Sequence, residues 1–180
     1  VITPRVRHTV FKSAFFFEKG EHTAIVKEIT AALKEQPVHN WTGKKVLLTG
    51  IAFEPGEVLD ILADNDLAVV GDDLAQESRQ YRTDTPLKGG GGLKRLALQW
   101  NVRYGCSLIH ELDKPRGKML AKMCQETGAQ GVLTGLMKFC DPEEFDYPII
   151  KRECEAVGLP VALVEIDRQM VNFEQARTLL

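Results

Sequence analysis

Four short runs along this chain are rich in apolar residues and are bounded by glycine, proline or charged residues. The run from Gly131 to Met137 is apolar apart from Thr134 and begins with glycine. Short runs of this kind are typical of strands that are buried on both faces of a parallel sheet. The predicted strands are residues 44–51, 66–70, 131–139 and 160–166.

The segments between these runs place apolar residues three or four positions apart, which is the spacing of one helix face. In residues 6–33 this spacing predicts a helix with one buried face, made of Ile25, Ile29, Ala32 and Leu33. The further predicted helices cover residues 93–102, 114–127 and 143–157, or begin after Pro55 and near Asn172.

Residues 75–92 show no clear period and end in four glycines. A connection of this length often serves as a lid or a binding loop. The glycines lack the spacing of a phosphate-binding loop and do not follow a strand directly, so they are interpreted as a flexible hinge.

The alternation of strands and helices predicts an α/β fold with three α/β/α layers. We expect a four-stranded parallel, Rossmann-like sheet in the order 2-1-3-4, in one domain over residues 1–180. Residues 1–43 form a helical lead-in and residues 44–180 form the sheet core. In such sheets, ligands bind beyond the carboxyl ends of the strands where the strand order reverses, here between the first and third strands.

The composition and net charge of the chain exclude some classes of function. The net charge is -2 and 44% of the residues are hydrophobic, which suits a globular core and excludes general affinity for nucleic acid or an anionic membrane. No apolar run approaches the roughly 20 residues of a membrane-spanning helix, and no secretory signal opens the chain. We therefore expect a cytoplasmic protein.

The chain starts without methionine and stops inside a predicted helix, so we expect it to be the C-terminal domain of a longer subunit.

Cys140 is the strongest site candidate. It comes just after the third predicted strand, and Asp141, Pro142 and Glu144 predict an N-cap, a first helical residue and a capping-box carboxylate behind it. Free amides and the positive end of a helix dipole favour the thiolate of a nearby cysteine, the form that binds metals. On pattern alone, buried packing of Cys140 stays an equal alternative.

The other cysteines carry weaker signals. Cys124 and Cys154 lie among apolar residues at helical spacing and are predicted to be core residues. Cys106 lies in a predicted loop, where a site role is a minority alternative. The four histidines form no metal-binding pair and are assigned no metal; they are His8, His22, His39 and His110.

Charged residues near the strand ends have both functional and structural interpretations. Asp72 and Asp73 could hold a cation or a ribose, but we favour a structural role. Lys114, Arg116 and Lys118 could contact phosphates, but we favour a solvated helix face.

Several blocks together resemble one family, the 2-hydroxyacyl-CoA dehydratases of the D-component or beta-subunit type. Benzoyl-CoA reductase subunits are more distant relatives. The resemblance runs from about Lys12 to the end and covers the C-terminal half of the family's length. Its blocks are GDDLAQESRQ (71–80), KPRGK (114–118), KFCDPEEFDYP (138–148) and EID (165–167) with EQART (174–178).

This resemblance implies a site. Family members hold a four-iron four-sulfur cluster through three cysteines, and the resemblance makes Cys140 the last of them, with Lys138 beside it as a residue that tunes the cluster. The remaining ligands and the catalytic residues belong to the N-terminal half, so we expect this chain by itself to be inactive and to lack the cluster. Ser78, Arg79 and Arg116, which lie in the matched blocks, are our candidates for substrate binding.

The implied reaction removes water from an (R)-2-hydroxyacyl-CoA to give a 2-enoyl-CoA through a ketyl radical. The implied partners are the acyl-CoA substrate, a second homologous subunit and an ATP-dependent iron-sulfur activator protein. Two alternatives remain: an electron-transferring subunit like those of benzoyl-CoA reductase, and a non-catalytic module that docks on a partner subunit.

Overall fold

A computed structural model describes residues 2–109 and 111–180 of the chain. His110 lies outside the described residues, and so does the prediction that it binds no metal, which stays a prediction. The helices are Pro4–Ser13 (α1), Lys19–Lys34 (α2), Glu57–Asp64 (α3), Gly92–Asn101 (α4), Arg116–Thr127 (α5), Asp141–Glu155 (α6) and Glu174–Leu179 (α7). The strands are Lys44–Gly50 (β1), Leu67–Leu74 (β2), Gly131–Met137 (β3) and Val161–Ile166 (β4), and a short 3-10 helix spans Ser78–Gln80.

The four strands form one parallel sheet in the order β2-β1-β3-β4. Successive side chains of β1 point to opposite faces, as in any strand. Leu47 therefore belongs to one apolar cluster with Leu120 of α5 and Ile150 of α6, whereas Leu48 belongs to another with Leu59 of α3 and Ala176 of α7. The sheet thus has a helical layer on each face, and the predicted three-layer α/β/α fold with strand order 2-1-3-4 is confirmed.

The prediction of one helix over residues 6–33 is wrong. The structure has two helices, and the carboxylate of Glu18 starts the second by accepting hydrogen bonds from the amides of Gly20 (2.7 Å) and Glu21 (3.2 Å). The predicted buried face of this segment is absent as well, since Ile25 and Leu33 are 36% and 42% exposed and no residue of α2 is buried. Apolar spacing gives a helix its amphipathic face, but a second element must be present to bury that face.

Polar contacts attach α1 to the sheet. Arg7 pairs with Asp72 and, at 2.8 Å, with Glu77, and Nδ1 of His8 lies 2.6 Å from Oε1 of Glu77. Lys12 pairs with Glu54 in the loop after β1. The helical lead-in is therefore joined to the carboxyl end of the sheet by its charged residues.

Among the element boundaries that differ from the prediction, two bear on the residues at the sheet edge. β2 extends to Leu74, so Asp72 and Asp73 lie inside the strand, where arginine side chains pair with both carboxylates. In α6 the N-cap position is held by Cys140 rather than Asp141, and no side chain caps the helix. No helix among residues 2–109 and 111–180 is both long enough and apolar enough to span a membrane.

Candidate functional site

Six charged side chains from four parts of the chain meet at the carboxyl edge of the sheet. We call them the arginine–carboxylate cluster. Its members are Asp73 of β2, Arg79 and Arg82 of the following connection, Arg116 at the start of α5, and Glu143 and Asp146 of α6. Five of the six are buried, and Arg82 is largely buried.

Asp73 is the centre of the cluster. Its carboxylate accepts hydrogen bonds from Nε and Nη2 of Arg79 at 3.2 and 3.0 Å, and from Nε of Arg116 at 3.0 Å. Arg82 pairs with the same carboxylate, and the Thr49 hydroxyl donates to it at 3.2 Å. Burial by itself would raise the pKa of Asp73, but the three guanidiniums outweigh it and hold that pKa below its usual value.

Arg116 joins Asp73 to α6. Nη1 of Arg116 lies 2.9 Å from Oε2 of Glu143, and Nη2 donates to the Thr49 hydroxyl at 3.0 Å. Arg79 approaches the other oxygen of Glu143 at 3.5 Å, and the hydroxyl of Ser107 donates to that oxygen at 2.6 Å. The cluster therefore fixes the first turn of α6 and the loop at Ser107 relative to the end of β2.

These contacts correct one interpretation and support another. Arg116 is 3% exposed, so its assignment to a solvated helix face is wrong, although Lys118 is exposed and Lys114 is partly so. Its burial could not be seen in the sequence, because a lysine stands two positions before it and another two positions after it. The structural role favoured for Asp72 and Asp73 is confirmed by their ion pairs with arginine.

The substrate-binding candidates lie against the sheet edge. Arg79 directs its donors at Asp73, at the carbonyl oxygen of Gly50 (3.1 Å) and at Sγ of Cys106 (3.5 Å). The Ser78 hydroxyl donates to the carbonyl oxygen of Asp72, and the Ser78 amide donates to the carboxylate of Asp72 at 3.1 Å. The structure brings these residues together with Arg116 but commits their polar groups to protein partners.

Cys140 lies between β3 and α6 as predicted, although β3 ends at Met137, three residues before it, and not at Phe139. Its amide donates to the carbonyl oxygen of Met137 at 3.1 Å, in a turn where Phe139 has a positive φ of 65°. Cys140 is half-buried, whereas Lys138 is exposed and Phe139 is 93% exposed. The turn thus presents a thiol that is not packed in the core and that directly follows two exposed side chains.

The remaining cysteines follow the prediction. Cys124 and Cys154 are buried in the apolar layer between the sheet, α5 and α6, and burial raises the pKa of each to about 11. Cys106 is half-buried and accepts a hydrogen bond from Arg79. The buried pair is therefore structural, and Cys106 borders the arginine–carboxylate cluster.

Comparison with known proteins decides the family. The family model described as 2-hydroxyglutaryl-CoA dehydratase, D-component, matches residues 1–180. The chain belongs to this family. It is 48% identical over 180 residues to the lactoyl-CoA dehydratase subunit beta of Anaerotignum propionicum, covering 100% of this chain and 48% of that protein.

Two further dehydratase subunits are similar over the same extent. The (R)-phenyllactyl-CoA dehydratase beta subunit of Clostridium sporogenes is 44% identical over 178 residues, covering 99% of this chain and 47% of that protein. The (R)-2-hydroxyglutaryl-CoA dehydratase subunit beta of Acidaminococcus fermentans is 33% identical over 183 residues, covering 100% and 48%. The chain thus spans about half the length of the curated dehydratase subunits it matches.

The described residues do not by themselves fit the iron-sulfur cluster that membership of the dehydratase family implies. Such a cluster takes several cysteine ligands, and Cys140 is the one that lies in the expected turn. Within residues 2–109 and 111–180, no group of three or more His, Cys, Asp or Glu side chains is arranged to hold a metal ion. Cys140 is therefore suited to supply at most one ligand of such a cluster.

The sequence did not single out Glu143 and Asp146 of the dehydratase-family block as parts of a cluster. Both lie in the first two turns of α6, where they resemble the acidic residues that ordinarily stand at the start of a helix. The signal that could have identified them is the three-residue spacing from Glu143 to Asp146, which puts both on one helix face opposite the buried Arg116.

Proposed function

We propose that this chain is part of the beta subunit of an (R)-2-hydroxyacyl-CoA dehydratase, which removes water from its substrate to give a 2-enoyl-CoA. The observation that carries the proposal is the match over the whole chain to the D-component family, together with 48%, 44% and 33% identity to three dehydratase beta subunits. All three relatives are named for 2-hydroxyacyl-CoA substrates. None is named as a reductase, which favours dehydration over the reductase alternative.

The chemical difficulty of this reaction lies at the β-carbon of the substrate, whose proton is barely acidic. One electron added to the thioester carbonyl gives a ketyl radical anion, from which hydroxide leaves. The β-proton then becomes acidic and is lost, and the electron is recovered, so the net change is loss of water. We propose that a separate ATP-hydrolysing iron-sulfur activator supplies the electron and that a second homologous subunit completes the complex in the cytoplasm.

We propose that Cys140 is a thiolate ligand of a four-iron four-sulfur cluster whose other ligands lie outside this chain. Its half-buried thiol at the carboxyl edge of the sheet, directly before α6, supports this role. The amides of the first turn of α6 carry partial positive charge, which favours a thiolate there. The exposed Lys138 adds a positive charge to the same turn and would stabilise a more negative, reduced cluster.

Arg79 and Arg116 are proposed as positioning residues within this site, and Ser78 acts with them. Their side chains hold the first turn of α6 through Glu143 and the end of β2 through Asp73. Since Cys140 precedes that turn directly, this network fixes the direction in which its thiol points. A direct substrate contact from Arg79 would use the edge of its guanidinium that faces Cys106.

The test uses the complete dehydratase complex, purified without oxygen. We expect water loss from at least one of lactoyl-CoA, phenyllactyl-CoA and 2-hydroxyglutaryl-CoA, measured as formation of the enoyl thioester in the presence of the activator and ATP. Reduction of an aromatic acyl-CoA without any dehydration would instead identify a reductase and contradict the proposal.

The ligand assignment is tested by Cys140→Ser, with Cys106→Ser as the matched control because both thiols are half-buried. We expect the first variant to lose iron and the visible absorption of the cluster from this subunit, and the second to keep both. Unchanged iron content and absorption in Cys140→Ser would refute the assignment.

A further inference from the structure

A cavity of about 400 Å³ lies beside the arginine–carboxylate cluster, between the 3-10 helix, the end of α4 and the loop after it. Its lining includes three arginines (Arg79, Arg82 and Arg103) and two aromatic residues (Trp100 and Tyr104), and no carboxylate among the residues that the structure describes. Leu108 and Ile109 contribute apolar surface, and Cys106 lies in the wall. Its volume falls within the range of small-molecule sites, roughly 300–1,000 Å³.

Arg103 brings an uncompensated charge to this cavity. In the described part of the chain, no carboxylate oxygen lies within 4.0 Å of its guanidinium nitrogens. Its Nη2 donates to the carbonyl oxygen of Gln80 at 3.2 Å, and its guanidinium carbon lies 4.1 Å from the centre of the Trp100 ring. Stacking on an aromatic face orients the guanidinium but does not neutralise it.

Two of the arginines that line the cavity also have hydrogen-bond donors without acceptors. Nε of Arg103 and Nε of Arg82 are both buried and lack a hydrogen-bond partner. The remaining nitrogens of Arg82 are bonded to Asp73 and, at 2.7 Å, to the carbonyl oxygen of Tyr104. Both Nε atoms have almost no accessible surface, so a ligand in the cavity would reach the outer nitrogens of Arg103, of which Nη1 has no hydrogen-bond partner among the described residues.

Asp73 does not supply the missing negative charge, because three guanidiniums share its carboxylate. Glu143, the next nearest acidic group of the cluster, pairs with Arg116 at 2.9 Å and with Arg79 at 3.5 Å, on the side towards α6. The cavity lining therefore carries arginine charge, and the neighbouring carboxylate of Glu111 accepts from the Gly105 amide at 2.8 Å rather than from these arginines. A planar guanidinium fork matches the oxygens of a phosphate group better than a point charge does.

We propose that this cavity binds the phosphate-bearing part of a nucleotide, with the phosphate on Arg103 and Arg82 and the flat base against the aromatic and aliphatic wall. Two sources share this chemistry: the nucleotide end of a CoA thioester and a free nucleoside phosphate. The first source rests on the proposed dehydratase function, whereas the phosphate chemistry of the site does not.

Binding is measured by calorimetry on the purified complex with CoA, ADP, inorganic phosphate and adenosine as probes. We expect CoA or ADP to bind, and adenosine, which lacks phosphate, to bind at least tenfold more weakly. Tighter binding of CoA than of ADP identifies the thioester as the natural source, and the reverse order identifies a free nucleotide. Equal binding of adenosine and ADP would overturn the proposal.

The location is tested through Cys106, whose alkylation by iodoacetamide is followed by peptide mass spectrometry. A saturating phosphate ligand should slow alkylation of Cys106 at least fivefold, whereas adenosine at the same concentration should leave it unchanged. If Cys106 stays unreactive before any ligand is added, a protein segment fills the cavity and the proposal is wrong. If the ligand binds and Cys106 is not protected, the binding site lies elsewhere and the proposal is equally wrong.

Variants separate the charge from the fold. Arg103→Ala should weaken binding of the phosphate ligand about tenfold or more, and Arg103→Lys should recover part of this loss, because the charge returns without the planar fork. The control is Arg152→Ala, an arginine of α6 whose side chain is 70% exposed and lies outside the cavity lining. An unchanged affinity in Arg103→Ala refutes the site even where the parent complex dehydrates its substrate. Absence of dehydration in the parent complex, with phosphate binding that depends on Arg103, refutes only the proposed function.

Discussion

Asp73→Asn removes the one negative charge that three buried arginines share. The substituted amide oxygen still accepts a hydrogen bond, but its nitrogen faces guanidinium donors, and the charge of Arg82 loses its only carboxylate partner within the described residues. Arg79 and Arg116 keep Glu143, at 3.5 and 2.9 Å. The variant therefore leaves buried cations short of one counter-charge.

Breaking a buried ion pair by removal of one partner costs about 3–5 kcal/mol. Because Glu143 compensates part of the charge, we expect a loss near the lower end of that range in the free energy of unfolding. For a chain of this size each kcal/mol corresponds to roughly 2–4 °C in Tm, so the Tm should fall by roughly 6–12 °C. Urea-induced unfolding followed by circular dichroism gives the free energy directly.

The matched control is Asp60→Asn. Asp60 also accepts from an arginine, Nε of Arg5 at 2.9 Å, but both side chains are about half exposed. Exposed pairs contribute about 0–1 kcal/mol, so this variant should unfold almost as the parent does. If Asp73→Asn cost no more than the control, Asp73 would not organise the cluster as described.

Acid gives a second, independent measurement on the same pair of proteins. The folded-state pKa of Asp73 lies below its usual value of 3.8, so its carboxylate stabilises the fold above that pH and loses this contribution as the pH falls through the lower, folded pKa. The difference in stability between the parent and Asp73→Asn should therefore be constant near neutrality and shrink below about pH 3.8. A difference that stayed constant down to the acid limit would contradict the charge-based account.

Two further predictions concern the core. Gly135→Ala should destabilise the protein by about 1–3 kcal/mol in urea unfolding, because the new Cβ would lie 2.5 Å from the ring of Phe53, whereas Gly91→Ala, with nothing within 4 Å, should not. Cys124 and Cys154 should resist iodoacetamide at pH 8 in the folded protein, since burial raises their pKa to about 11, and react once urea unfolds it. Labelling of either thiol at the rate of a free cysteine in the folded state would refute their burial.

Local sequence signals predicted the fold well, since each strand contains a short apolar run and the helices between the strands show apolar residues at helical spacing. The strand before Cys140 and the helix after it could both be located, because strand, turn and helix signals lie within about 25 consecutive residues (131–155). The prediction failed for α2, whose apolar spacing resembles that of a buried helix. Spacing along one helix does not state whether a partner covers its face.

The candidate site was less predictable, because its contacts join residues that are far apart in the sequence. Arg116 meets Asp73 across 43 positions and Thr49 across 67. Lys114, Arg116 and Lys118 stand at every second position, and the sequence shows only that each is charged. It does not show which of the three side chains is buried and which are solvated. Packing of α5 against α6 selects which of the three enters the interior, and that selection is a property of the tertiary structure.

Arg79 contacts both the first turn of α6 and the wall of the cavity, two features that the family resemblance did not connect. One of its nitrogens lies 3.5 Å from Glu143, three residues after Cys140, and also 3.5 Å from Sγ of Cys106 in the cavity wall. The other nitrogens are fixed on Asp73 and on the carbonyl oxygen of Gly50. A ligand that displaces Arg79 towards the cavity would lengthen its contact with Glu143 and so relax the first turn of α6. Arg116 holds the same Glu143 at 2.9 Å, so Arg79 is one of two guanidiniums that connect this turn to the end of β2, and it is the one that also contacts Cys106 in the cavity wall.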